Sequence, residues 1–150
     1  MLLYGHQGIA AWAGKQLGIQ DWGPCQSIGV LARGKLVAAA VFHCYRHPNI
    51  EISFVTIDRR WATPQTVRGI MRYPFIQLGC TRLTAITSDK NHPTREFLCR
   101  LGFVQEGFHP DTFESGDAAV SYGLLRAQAA RWLTEDRDAG KISTIAARSA

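Results

Sequence analysis

The chain has 150 residues, 46% hydrophobic and 19% charged, which fits one globular domain with its own core and excludes a disordered or low-complexity protein. No apolar run is long enough to span a bilayer. Met1-Leu2-Leu3-Tyr4-Gly5-His6 lacks the basic start and apolar core of a signal peptide, so the expected location is the cytoplasm, with no membrane partner. The net charge of +5 is spread over Arg59, Arg60, Arg68, Arg72, Arg82, Arg95 and Arg100; that favours a basic surface or an anion pocket over a nucleic-acid face.

Residues 1–4 read as a short edge strand. Residues 6–17 read as a helix, with Ile9, Trp12, Ala13 and Leu17 at helical spacing. Asp21-Trp22-Gly23-Pro24 is loop. Residues 26–32 and 35–45 form a hairpin turned at Arg33-Gly34. The apolar run over 36–42 suits a strand covered on both faces. His47-Pro48-Asn49 leads into 50–57, a strand rich in β-branched and aromatic residues.

Residues 58–62 turn the chain. Thr63 stands at a helix N-cap and Pro64 at the first helical position, where proline has no donor to lose. That helix runs to about Leu78 and stops at Gly79. Its free N–H groups and dipole favour an anion. Residues 83–87 make another strand, and Asn91, Pro93 and Thr94 open a shorter helix that ends at Leu101-Gly102-Phe103. Strands follow at 103–108 and 118–125, joined by a loop over 110–116. Residues 126–135 read as a helix with Ala129, Ala130, Trp132 and Leu133, and 136–150 as a weakly ordered tail. Residues 1–135 thus make a single domain. Cys25, Cys44, Cys80 and Cys99 form no Cys-x-x-Cys pair and are expected to be free thiols, with no metal site.

The ordered run Asn91…Thr94…Leu98…Leu101-Gly102-Phe103…Glu106-Gly107, then Gly116-Asp117…Tyr122-Gly123-Leu124-Leu125, resembles the acyl-CoA-binding half of the GNAT N-acetyltransferases. The resemblance extends over roughly 26–133. It is nearest the branch that acetylates ribosomal-protein N-termini, and the small phage- and prophage-encoded acetyltransferases. It implies an α/β (α+β) fold: a mixed, mostly antiparallel sheet of six or seven strands flanked by helices, with its central strands, 50–57 and 83–87, splayed. It also implies acetyl-CoA as co-substrate and transfer to a primary amine of a protein N-terminus, a lysine or a small molecule. The family usually begins with a strand and two helices. This shorter start leaves the acceptor side open or completed by another subunit, as in a homodimer.

By the same resemblance, the backbones of Val55 and Ile57 pair with the pantetheine arm as an added strand does. The phosphate loop falls at 59–63, with Trp61 and Thr63 where the family has glycine. The N–H groups of Ala62, Thr63, Gln65 and Thr66 then face the phosphates, and Arg60 and Arg68 add charge-assisted bonds. Asn91 fixes the cofactor arm with Thr94 as its small polar partner; helix capping by Asn91 is the competing reading.

Transfer to an amine needs a base, and an acid or other stabilisation for the departing thiolate. Backbone N–H groups polarise the thioester carbonyl. The family's acid, a tyrosine seven residues after the asparagine, is Leu98 here. Glu51, a carboxylate on an otherwise apolar strand, is the candidate base; a solvated or salt-bridged strand residue is the competing reading. Ser53, His43 and Tyr122 are weaker candidates. Two alternatives stay open. One is a catalytically inactive protein that keeps the fold for binding, supported by the missing acid and the altered loop. The other is a phage-type protein that binds or modifies nucleic acid, suggested by charge. No Gly-x-Ser-x-Gly, His-Glu-x-x-His or Walker motif is present.

Overall fold

The structure is a computed structural model and describes residues 1–134. Residue 135 and the expected tail at 136–150 lie outside the described residues. Strand β1 (Leu2–Tyr4) leads to helix α1 (Gln7–Leu17), capped by the His6 side chain, which accepts from the Gly8 N–H. Strands β2 (Cys25–Ala32), β3 (Lys35–Arg46) and β4 (Asn49–Thr56) follow as antiparallel neighbours. A 3₁₀ turn at Arg59–Trp61 precedes helix α2 (Pro64–Arg72). Then come β5 (Arg82–Ser88), α3 (His92–Leu101), β6 (Val104–His109), β7 (Ala119–Leu125) and α4 (Ala130–Leu133).

The seven strands make one sheet in the order β1-β2-β3-β4-β5-β7-β6. Every neighbouring pair is antiparallel except β4 with β5. That parallel pair holds for three rows, Asn49–Arg82, Ile50–Leu83 and Glu51–Thr84. Both strands continue past Glu51 and Thr84 without pairing to each other, so the middle of the sheet is a fork, as the resemblance implies.

Alternation along the strands sorts side chains to two faces. Ile50 and Ile52 of β4, with Phe42 of β3, join the main core with Val67, Ile70 and Met71 of α2 and Leu98 and Leu101 of α3. Ala39, Val41 and Val55 face the other way and pack under Ile9 and Ala13 of α1. Gly29 lets α1 approach: a Cβ there would lie 2.6 Å from Leu36 Cδ1 and 3.2 Å from Ile9 Cδ1. Residues 38–42 are buried throughout, as a strand covered on both faces requires.

Two helices differ from expectation. The helix expected to Leu78 is α-helical only to Arg72, then widens into a π turn over Tyr73–Gln77. Pro74 has no N–H to donate four residues back, and the chain relaxes into the longer repeat, with the Leu78 N–H reaching the Tyr73 carbonyl. The helix expected over 126–135 is observed as the single turn Ala130–Leu133. The Arg126 N–H donates instead to Thr81 O, and the Leu125 N–H to the Gln128 side chain, which holds this stretch against the sheet.

Candidate active site

The fork between β4 and β5 opens into a cavity of about 630 Å³. Its walls come from the end of β4, the 3₁₀ turn, the start of α2, one side of α3 from Pro93 to Leu101, the end of α1, and Trp132 of α4. Of the expected site residues, it gathers Val55, Ile57, Trp61, Ala62, Asn91 and Thr94. Phe54, Trp61 and Phe97 form an aromatic wall: Phe54 stacks on Trp61 at 6.2 Å between centroids, and Phe97 meets both edge-on at 5.3 and 5.7 Å. Such pairs add about 1 kcal/mol each beyond burial. Trp61 is 6% exposed, and its indole N–H donates to Thr56 Oγ1 at 3.1 Å. The bulky residue in the expected phosphate loop therefore turns into the core. Leu98 is also in the core and does not reach the cavity.

The register shifts one assignment. The Ile57 N–H donates to Val37 O at 2.8 Å, and backbone groups alternate sides along a strand. Val55 and Ile57 therefore direct their backbone groups toward β3, while Phe54 and Thr56 direct theirs toward the fork. Which parity faces the gap depends on the side β3 occupies, and no residue pattern within β4 encodes that.

The start of α2 is largely self-satisfied. Thr63 and Thr66 make a capping box, each side chain taking the other's N–H. The Ala62 N–H donates to Arg59 O at 3.3 Å. Of the four N–H groups expected to face an anion, those of Ala62, Thr63 and Thr66 are paired, leaving Gln65. Arg60 is also committed elsewhere: its guanidinium grips Asp58 at 2.7 Å, its side chain is 91% exposed, and it does not line the cavity. Its hydrogen bonds hold the Asp58 carboxyl down at about 2. Arg68 lies half-buried on α2, away from the cavity. The charged residues that do line it are Arg59 and Arg100, neither in an ion pair with a described residue. Both were missed as site residues: Arg59 precedes a capped helix start just as Arg60 does, and Arg100 sits in the last turn of α3, where a basic residue is ordinary.

Asn91 caps α3, its Oδ1 accepting the Thr94 N–H at 3.3 Å. It also borders the cavity.

Glu51 stands in the last paired row before the fork, on the α1 face. His43 lies across from it on β3, with Nδ1 3.7 Å from Glu51 Oε2 and Nε2 2.9 Å from Ser53 Oγ. Trp22 packs against the imidazole at 5.2 Å. Burial pushes the His43 pKa below its ordinary value, against the pull of Glu51, so the ring is neutral near pH 7. The sequence candidates Glu51, His43 and Ser53 are thus one cluster. Tyr122 is apart from them, buried with its hydroxyl accepting from Arg95 Nε at 3.0 Å.

A single sheet forked between its fourth and fifth strands in chain order, with helix starts facing the fork, is the fold of the GNAT N-acetyltransferases. Solved structures carry the same arrangement. The chain is similar to mutant forms of the spermidine/spermine N-acetyltransferase SpeG from Vibrio cholerae, at 12% identity, covering 89% of this chain and 99% of that one with a TM-score of 0.74. It is similar to the ribosomal-protein-S5-alanine acetyltransferase from Vibrio fischeri at 14% identity, covering 67% of this chain and 61% of that one, TM-score 0.58. A probable acetyltransferase matches at 20% identity over 81% of this chain and 72% of that one, TM-score 0.62. No protein-family model and no curated protein sequence matches.

Proposed function

We propose that the protein is an N-acetyltransferase that moves an acetyl group from acetyl-CoA to a primary amine. The observation that carries this reading is the cavity at the fork: aromatic on one side, lined among the described residues by two arginines and no carboxylate, and edged by strand backbone. That donor set fits a phosphate-bearing thioester with an amide arm. Arg59 and Arg100 would hold the phosphates, with the Gln65 N–H as the remaining amide at the start of α2. Phe54 and Thr56 offer the arm their backbone groups, and Asn91 and Thr94 border it. Acetyl-CoA supplies the activated acetyl group.

Glu51 serves as base. It lies three residues from Phe54, about 10 Å along the strand, so it works through an intermediary rather than by touching the amine. Ser53 and His43 bridge that gap. The neutral imidazole takes a proton at Nε2 through Ser53 or water and passes the proton on Nδ1 to the Glu51 carboxylate, where it ends. No tyrosine lines the cavity, so backbone N–H groups facing the fork take the charge developing on the thioester oxygen. Free thiols suit a reducing compartment, and we place the activity in the cytoplasm. Among the described residues no helix is long and apolar enough to cross a membrane.

The test is CoA thiol release from acetyl-CoA by the full-length protein, with spermidine, an alanine-starting peptide and a lysine peptide as acceptors. Amine-dependent release is the expected result. Release that no amine accelerates contradicts the reading.

A further inference from the structure

Three donors of different chemistry converge at the end of β3. His43 Nδ1 lies 3.4 Å from Cys44 Sγ and 3.7 Å from Glu51 Oε2, and one donor atom of each residue lies within 4.8 Å of the other two. Consecutive strand residues ordinarily point to opposite faces. Cys44 escapes that rule: its φ is 52°, at the bulge between His43 and Arg46, and its thiol comes round to the histidine's side. Tetrahedral coordination by nitrogen, sulfur and oxygen sets donors about 3.5 Å apart, so these separations need no movement of the backbone. The other His43 nitrogen is held by Ser53 Oγ at 2.9 Å, the kind of partner that orients a metal-binding imidazole. Cys44 is exposed and Glu51 is 27% exposed, which leaves a coordination position open to water.

We propose that His43, Cys44 and Glu51 form a binding site for a borderline-soft divalent cation of the Zn²⁺ class, and that its occupation withdraws Glu51 and His43 from the proton relay to the acceptor amine. The site itself stands on geometry; the effect on rate rests on the reading of Glu51 as base. Thiolate and imidazole together select Zn²⁺ over Mg²⁺ or Ca²⁺, which prefer all-oxygen sets. Binding forms one bond each to nitrogen, sulfur and oxygen and releases the Cys44 thiol proton to solvent. No redox change is involved. The sequence shows no paired-cysteine motif because the donors come from two strands and a bulge.

The probe is Co²⁺ alone, added to reduced full-length protein stripped of metal with EDTA. A thiolate-to-cobalt charge-transfer band saturating at one equivalent is expected. Cys44→Ser removes it. Cys25→Ser, which alters the thiol across the sheet from His43, keeps it. Ser53→Ala weakens Co²⁺ affinity about tenfold. No band, or a band that survives Cys44→Ser, overturns the site. The link to rate is read as each protein's transfer rate with one equivalent of Zn²⁺ divided by its own metal-free rate. That ratio falls about tenfold or more in the wild type and stays near unity in Cys44→Ser. Equal inhibition of both overturns the link. A cobalt band in a protein with no transfer activity keeps the site and overturns the reading of Glu51.

Discussion

Phe54 and Glu51 stand three residues apart on β4 and face opposite sides of the sheet. Phe54 closes an aromatic wall with Trp61 and Phe97 over the cavity at the fork. Glu51 belongs to a polar cluster with His43 and Ser53 under α1. The polar face runs on across β5, where Thr84 donates to Asn49, Arg82 donates to Thr84, and Arg82 pairs with Glu106. One strand thus builds an aromatic face toward the cavity and a polar, hydrogen-bonded face under α1. The same period of two separates the two kinds of energy: dispersion and burial on one side, charge and hydrogen bonds on the other.

That division predicts that changes on the two faces fail differently. Trp61→Ala has the largest expected effect on stability, a loss of about 3–5 kcal/mol for a buried tryptophan, read as a lower urea midpoint together with lost acetyl-CoA binding. A variant that binds as the wild type does would remove the aromatic wall from the site. Glu51→Gln slows amine-dependent transfer about 100-fold with acetyl-CoA affinity and urea midpoint preserved. An unchanged rate would discard the base. Arg59→Ala weakens acetyl-CoA binding about tenfold, or about 1.4 kcal/mol, while Arg60→Ala, altering a side chain already committed to Asp58, leaves it unchanged. The opposite ranking would return the phosphate site to Arg60. Asn91→Ala costs about 1 kcal/mol as a lost helix cap and also weakens acetyl-CoA binding; a stability change without an affinity change would leave Asn91 as a cap only.

The smallest effect concerns acid. The Arg82 hydrogen bonds hold the Glu106 carboxyl below its ordinary value. The unfolded chain therefore takes up that proton first as pH falls. The stabilisation is present above the ordinary carboxylate range and is lost as pH drops through the folded value. In Glu106→Gln the acid limb of a stability–pH curve should be shallower; an unchanged limb would mean that solvent already screens the pair.

Local chemistry was legible in the sequence. Thr63, Pro64 and Asn91 sit where caps and a first helical position require them, because capping involves only a few neighbouring residues. The splaying of the two central strands came from the family resemblance rather than from periodicity. Choices made across the sheet were not readable. The 3₁₀ turn decides that Arg59 lines the cavity while Arg60 binds Asp58, and two adjacent arginines carry no mark of that difference. The side on which β3 pairs decides that Phe54 and Thr56, not Val55 and Ile57, present backbone to the fork. A left-handed residue at a bulge brings Cys44 beside His43, against the alternation of a regular strand. Phe97, three residues past Thr94, reads as ordinary helix core until Phe54 and Trp61 are seen against it.

The central claim is that the cavity at the fork holds acetyl-CoA although Trp61 and Thr63 replace glycine and the start of α2 caps itself. Calorimetric titration of the full-length protein with acetyl-CoA, with CoA as comparison, tests it most directly. Micromolar binding at one site, on the order of −8 kcal/mol, is the predicted result. No binding heat at millimolar ligand would contradict the account and leave the fork as a scaffold without its donor.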